Sequence, residues 1–177
     1  MAWTAPMTAV SGGPFSASQF NTFVRDNVAE LGVAKARTPG GYIVGNGLNS
    51  VIQRTWDSAA IPAGSTTTGT SYGNCIDQVG PSVTLGTGTV AMIWVSCNSW
   101  NSAGNAAWFT FEVSGVTSFL ASDSFAVQGQ GTDGDRFGAG FLFDTLTAGT
   151  NTFTGKYRVS TSGTGFFSAR RITVWPF

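Results

Sequence analysis

Gly69-Thr70-Ser71-Tyr72-Gly73 carries the G-x-S-x-G spacing of a nucleophile elbow, where a serine on a strand-to-helix turn attacks an acyl carbon. Such a serine needs a histidine base, and the 177-residue chain contains no histidine. Gly129-Gln130-Gly131-Thr132-Asp133-Gly134 has the G-x-G-x-x-G spacing of a dinucleotide loop, but no strand and helix frame it, so it reads as a glycine-rich loop. Asp133 and Asp135 offer hard oxygens of the kind Ca²⁺ prefers. The next acid is Asp144, off the spacing a calcium loop requires, so a turn held by Asx hydrogen bonds is expected. No other close pair of carboxylates suggests glycosidase chemistry. Cys75 and Cys97 lack metal-ligand spacing and histidine partners, and two thiols are expected. In Asn98-Ser99-Trp100-Asn101-Ser102, an indole between two amides suits stacking on a glycan, or an aromatic contact with a protein partner. The residues thus offer no catalytic set, no metal site and no cofactor motif.

The composition points to assembly. Lys+Arg and Asp+Glu are 9 each, the net charge is +0, and only 10% of residues are charged. Nine dispersed cations make no basic footprint for nucleic acid. No apolar run approaches the roughly 18 residues of a membrane helix. The opening MAWTAPMTAVSGGPF lacks the cationic start and apolar stretch of a secretion signal, so synthesis in the cytoplasm is expected. Gly, Ser and Thr make up 65 residues, yet 14 Phe, 6 Trp and 3 Tyr supply core formers that a disordered chain lacks. Aromatics and Thr favour strands, and Gly/Ser/Thr clusters favour turns. So few charges suit surfaces covered by other protein.

These elements sort along the chain into an arm, a linker and a β-domain. Ser16 is an N-cap candidate with Gln19 completing a capping box, and Phe15 and Phe20 have the spacing of a hydrophobic staple. Phe20, Phe23, Val24, Val28 and Leu31 recur at helical spacing as one apolar stripe. A helix of about 15 residues with one apolar face is marginal alone and needs a surface to pack on, either its own domain or a partner or copies of itself around a symmetry axis. Residues 1–35 are therefore expected to form an arm and helix for attachment and oligomerisation, with Trp3 and Phe15 as further anchors. Residues 36–49, with Thr38-Pro39-Gly40-Gly41, read as a linker. Residues 50–177 read as a mainly β, antiparallel, jelly-roll-like sandwich. Its strands are expected at 51–56, 83–85, 89–97, 107–113, 117–121, 140–146, 152–160 and 166–175. The ending Trp175-Pro176-Phe177 is expected to be covered by the sheet or by a neighbouring subunit.

Trp3-Thr4-Ala5-Pro6, then Phe15-Ser16-Ala17-Ser18-Gln19-Phe20-Asn21-Thr22-Phe23-Val24-Arg25-Asp26-Asn27-Val28 and Leu31, resemble the opening of small virion proteins of tailed phages. Leu146-Thr147-Ala148-Gly149-Thr150-Asn151-Thr152-Phe153-Thr154, Tyr157-Arg158 and Arg170-Arg171-Ile172-Thr173-Val174 resemble the closing strands of their β-domains. Gln19-Phe20 stands where a Leu or Met is common before the Asn of that motif, and the two cysteines are no mark of the family. The resemblance implies a non-enzymatic virion part of minor tail, tail fibre or capsid-decoration type. Such a part is made in the host cytoplasm, trimeric, attached by its arm to major capsid or tail proteins, and needs no cofactor. The alternative is a carbohydrate-binding β-module that uses Trp100 on a host-surface glycan.

Overall fold

The computed structural model describes Thr4, Met7 and residues 12–29, 38–48 and 50–177. Chain contacts group into two compact units, Met1–Thr55 and Trp56–Phe177.

The first unit begins with a continuous helical segment made of α1 (Ala17–Phe20), a π-turn (Asn21–Arg25) and α2 (Asp26–Ala29). Its start is fixed locally. Gln19 N–H donates to Ser16 Oγ at 3.2 Å and Ser16 N–H donates to Gln19 Oε1 at 2.9 Å, closing the expected capping box. Phe15 meets Phe20 edge-on at 6.1 Å, which is the expected staple. The π-turn arises where Asp26 N–H reaches back five residues to Asn21 O. Further along, residues 36–49, expected as a linker, contain strand β1 (Tyr42–Gly45). It pairs antiparallel with β2 (Val51–Arg54), Tyr42 opposite Arg54, and Asn46 N–H donates to Ser50 O at 2.9 Å across the connection.

The second unit is a β-sandwich of two antiparallel sheets. One has the order β3 (Asp57–Ile61), β11 (Gly165–Pro176), β6 (Ala91–Asn101), β9 (Asp135–Phe143), with β4 (Ser65–Thr67) also on β11. The other has the order β5 (Ser82–Thr87), β10 (Gly149–Val159), β7 (Ala106–Gly115), β8 (Val127–Gln130). Leaving out the short β4 and numbering afresh, the sandwich's eight strands run 1-8-3-6 in one sheet and 2-7-4-5 in the other. That is jelly-roll topology, as the sequence expectation held.

Alternation drives the packing. Ile93, Val95 and Cys97 of β6 face Phe109, Phe111 and Val113 of β7 across a fully buried core. Phe111 lies at the centre of an aromatic cluster, 5.8 Å from both Phe125 and Phe143 and 6.3 Å from Phe119 and Phe153. Segment 117–121, expected as a strand, forms no strand. Phe119 exchanges both backbone hydrogen bonds with Val113 as a single bridge and sends its ring into that cluster. The expected strand at 140–146 instead spans Asp135–Phe143, because Gly138, outside the expected segment, lies within β9 and the pairing ends at Phe143. Trp94 lies across Gly138 and Gly140. A Cβ on Gly140 would sit 2.8 Å from Trp94 Cε3, so the flat indole would have to shift for any larger residue there. The C-terminus is tied in at both backbone groups, Phe177 N–H to Val90 O at 2.8 Å and Gly88 N–H to Phe177 O at 2.9 Å.

Candidate functional site

In the N-terminal unit, Phe15, Phe20, Val24 and Val28 are 54%, 48%, 38% and 55% exposed, so a row at i, i+4, i+8 faces outward. Phe23, expected in the same stripe, is half-buried. Trp3 and Leu31, the remaining members of the expected set, lie outside the described residues. Sequence reading passed over Asn27, which is buried. Its Oδ1 accepts from Thr4 N–H at 2.8 Å, and its Nδ2 donates to Thr4 O at 2.8 Å and to Phe23 O at 3.1 Å. One amide thus ties Thr4 to the helix. The two ends of the N-terminal motif meet at this contact, and their joint presence in the motif was the only available signal.

In the sandwich, Trp100 stands on the outer face of its sheet. Its ring stacks on Phe166 of the neighbouring strand with centroids 3.7 Å apart and planes 5° from parallel. The pair floors a groove of about 550 Å³ that is also lined by Thr66, Asp77, Gln78 and Ser168. Phe166 is opposite Trp100 on one side and Thr66 on the other, so the ring face turned away from Trp100 looks toward β4 and the groove. The far wall is the loop through Asp77, anchored where Ile76 N–H donates to Thr66 O at 2.9 Å.

That wall is held from beneath by Arg170, which is fully buried. Between Ser168 and Arg171 the register of β11 slips by a bulge, and Ala169 adopts φ 47°, a left-handed conformation costly for a residue with a Cβ. The bulge turns Arg170 inward and returns Arg171 to the outer face. Arg170 Nη2 donates to Ala63 O at 2.7 Å and to Gln78 Oε1. Its Nη1 reaches Tyr157 Oη at 3.4 Å and Cys75 Sγ at 3.9 Å, and its guanidinium lies 5.5 Å from the Tyr157 ring centroid. None of the ion pairs among the described residues involves Arg170. An arginine stays charged, and burying a charge without a counter-ion costs several kcal/mol. Neutral acceptors and one aromatic face therefore carry the whole compensation.

The other reactive groups are quiet. Cys75 and Cys97 are buried free thiols. Burial raises Cys75 and pushes Cys97 up to about 12, with Arg170 opposing in both cases. Gly69–Gly73 is an irregular loop bonded to β10 through Gly73 N–H to Tyr157 O at 3.0 Å and Val159 N–H to Gly69 O at 2.8 Å, not a strand-to-helix turn. The described residues include no group of three His, Cys, Asp or Glu placed to hold a metal ion. On the other sheet Arg158 grips Asp123 with Nε–Oδ1 3.0 Å and Nη2–Oδ2 2.6 Å, and Tyr72 Oη donates to the same carboxylate at 2.6 Å. The hydrogen bonds from Arg158 hold Asp123 below the usual carboxylate range.

No family model matches the sequence, and no curated protein matches it. Among solved structures, the chain is similar to infectious bursal disease virus, Gx strain, at 12% identity and TM-score 0.45, over 78% of this chain and 39% of that one. It is similar to TmCBM61 in complex with β-1,4-galactotriose at 10% identity and TM-score 0.34, over 69% and 88% of the two chains. A third similarity, to Arthrobacter globiformis T6 isomalto-dextranase complexed with panose, has 14% identity and TM-score 0.37, over 81% and 30%. The chain therefore spans well under half of the first of these structures. Trp100, singled out from sequence, sits in the groove; Phe166, Asp77, Gln78 and Arg170 did not stand out, because only the register of β11 and the path of the 74–79 loop bring them to it.

Proposed function

We propose that this chain is a non-enzymatic structural component of a bacteriophage particle, of minor tail, fibre or capsid-decoration type. It attaches through its N-terminal segment and displays its β-domain. The observation that carries this reading is the exposed row of Phe20, Val24 and Val28, with Phe15 beside it, on a helical segment whose cap is already complete. Burying side chains of this kind contributes roughly 1.5–3 kcal/mol each, so the row gains most when it meets a matching surface. Three copies around one axis supply that surface, and a homotrimer seated on major capsid or tail proteins follows from the resemblance of the N-terminal motif. The 10% charged content supports covered surfaces as well. The chain is made in the host cytoplasm and ends in the virion, with no role at nucleic acid or membrane. No helix among the described residues is long and apolar enough to cross a membrane.

The test is incorporation. Particles are assembled with the Val24→Asp chain in place of the original and its copy number is measured by quantitative mass spectrometry. Loss from purified particles is expected, and a normal copy number sinks the reading.

A second reading is favoured by one observation, the aromatic-floored groove at Trp100. In it the sandwich is a carbohydrate-binding module for host-surface attachment. Saturable binding on a glycan array that disappears in Trp100→Ala supports it, and silence across the array removes it.

A further inference from the structure

The geometry points to a site for a neutral pyranose saccharide in the groove over Phe166 and Trp100, with Asp77 and Gln78 as its hydrogen-bonding wall and Arg170 as the residue that positions that wall. This inference rests on the carbohydrate-binding reading above and assigns its site, ligand class and support.

A sugar presents an apolar face of C–H groups and an edge of hydroxyls, each hydroxyl both donor and acceptor. The groove offers the complement of both. Its floor is the Phe166 ring, backed by the Trp100 indole at 3.7 Å so that the stacking face is rigid before any ligand arrives. Its polar groups mix acceptor and donor. The Asp77 carboxylate accepts, the Thr66 and Ser168 hydroxyls do either, and the Gln78 amide is set by its neighbour. Arg170 occupies Gln78 Oε1, which leaves the NH₂ end of that amide as the donor available to a ligand. The volume of about 550 Å³ suits one or two sugar rings.

Charge narrows the class. Asp77 lines the groove and no Lys or Arg does. Uronic acids, sialic acids and phosphorylated ligands would meet a carboxylate with no cation to receive their own charge. Neutral hexoses would not. A purely apolar ligand would strip water from Asp77 without replacing its hydrogen bonds.

The buried arginine gives the site its second, independent argument. Arg170 ties two lining loops to the core at once, through Ala63 O beside Gly64 and through Gln78. A strained Ala169 and a buried cation without an ion-pair partner among the described residues occur together where they fix the wall of a groove. Replacing Arg170 by an apolar residue of similar length removes a buried charge that has no counter-ion and leaves its acceptors unpaired, two effects of opposite sign on the fold. A role in positioning predicts a split: a chain that still folds, with affinity lost.

The experiment uses the full chain and isothermal titration against gluco-, galacto- and manno-oligosaccharides, with polygalacturonate as the acidic probe. At least one neutral series is expected to bind, and polygalacturonate to bind at least tenfold more weakly. Phe166→Ala and Trp100→Ala should each weaken binding tenfold or more. Arg170→Met should still melt in one cooperative transition and bind about tenfold more weakly. If Arg170→Met does not fold, Gln78→Ala, which leaves Arg170 in place, carries the same expectation. Binding to none of the neutral series overturns the carbohydrate reading and this inference together. Neutral binding that survives Phe166→Ala and Trp100→Ala leaves the module reading standing and overturns the site. Preference for polygalacturonate overturns the ligand class, and unchanged affinity in both Arg170→Met and Gln78→Ala overturns the positioning role.

Discussion

The two units invert each other's use of polarity. In the N-terminal unit the apolar side chains of Phe20, Val24 and Val28 face outward and the amide of Asn27 is buried. In the sandwich the apolar side chains close on one another, and the polar groups inside, Arg170 and Asn151, are bound on several sides. Range differs as well. The helical segment is held by contacts three to five residues apart plus one clamp to Thr4, whereas β10 is stitched to β5 and β7 over long separations. A short helix with an open apolar row is marginal in water, and a jelly roll with a closed core is self-sufficient. The difference teaches that order in the first unit is completed by whatever covers the row, and order in the second is not.

The largest expected effect separates the two units by a core truncation. Phe111→Ala removes the ring at the middle of the aromatic cluster and should cost about 3–5 kcal/mol in urea denaturation. Val24→Asp should leave the sandwich's transition where it was, and equal losses in both variants would break the comparison.

Asn151→Ala is next. Asn151 accepts from Thr117 N–H at 2.8 Å and donates to Thr87 Oγ1 at 2.8 Å, both buried, and to Thr147 O at 3.0 Å nearer the surface. The alanine leaves a buried N–H unpaired, for an expected loss of about 1–3 kcal/mol. A change under about 0.5 kcal/mol would show that the side chain does not hold β10 to its loops.

An alkaline limb sharpens the contrast by pH. Burial raises the Cys97 thiol from 9.0 to about 12, so the folded chain holds a proton that the unfolded chain releases. The folded value exceeds the unfolded one. This contribution is therefore complete below pH 9 and lost as pH climbs from there toward 12. Cys75 and Tyr157, raised by burial too, act in the same direction. Melting temperature should fall across that window and fall less steeply in Cys97→Ala; identical slopes would contradict the assignment.

The smallest effect is local. Ser16→Ala removes one half of the capping box and should destabilise the helical segment by about 1 kcal/mol. Hydrogen exchange of Gln19 N–H and its neighbours should quicken while exchange in β6 stays unchanged.

What the sequence made legible follows the same division. Ser16, Gln19, Phe15 and Phe20 declare the helix start because capping and stapling act within five residues. The long strands β6, β7, β10 and β11 show through their alternation. β3, β4 and β8 escape because Ala, Ser, Thr, Gln and Gly fill them, and only their partners make them strands. Trp100 is visible as an aromatic between amides. Arg170 is not, since nothing before the bulge at Ala169 tells which of two adjacent arginines turns inward.

Sedimentation velocity on the full chain beside residues 56–177, at micromolar concentrations, tests the central claim most directly. The account predicts a trimer for the full chain and a folded monomer for 56–177 with the same thermal transition as the sandwich in the whole protein. A monomeric full chain, or a 56–177 fragment that unfolds or is itself trimeric, would contradict it.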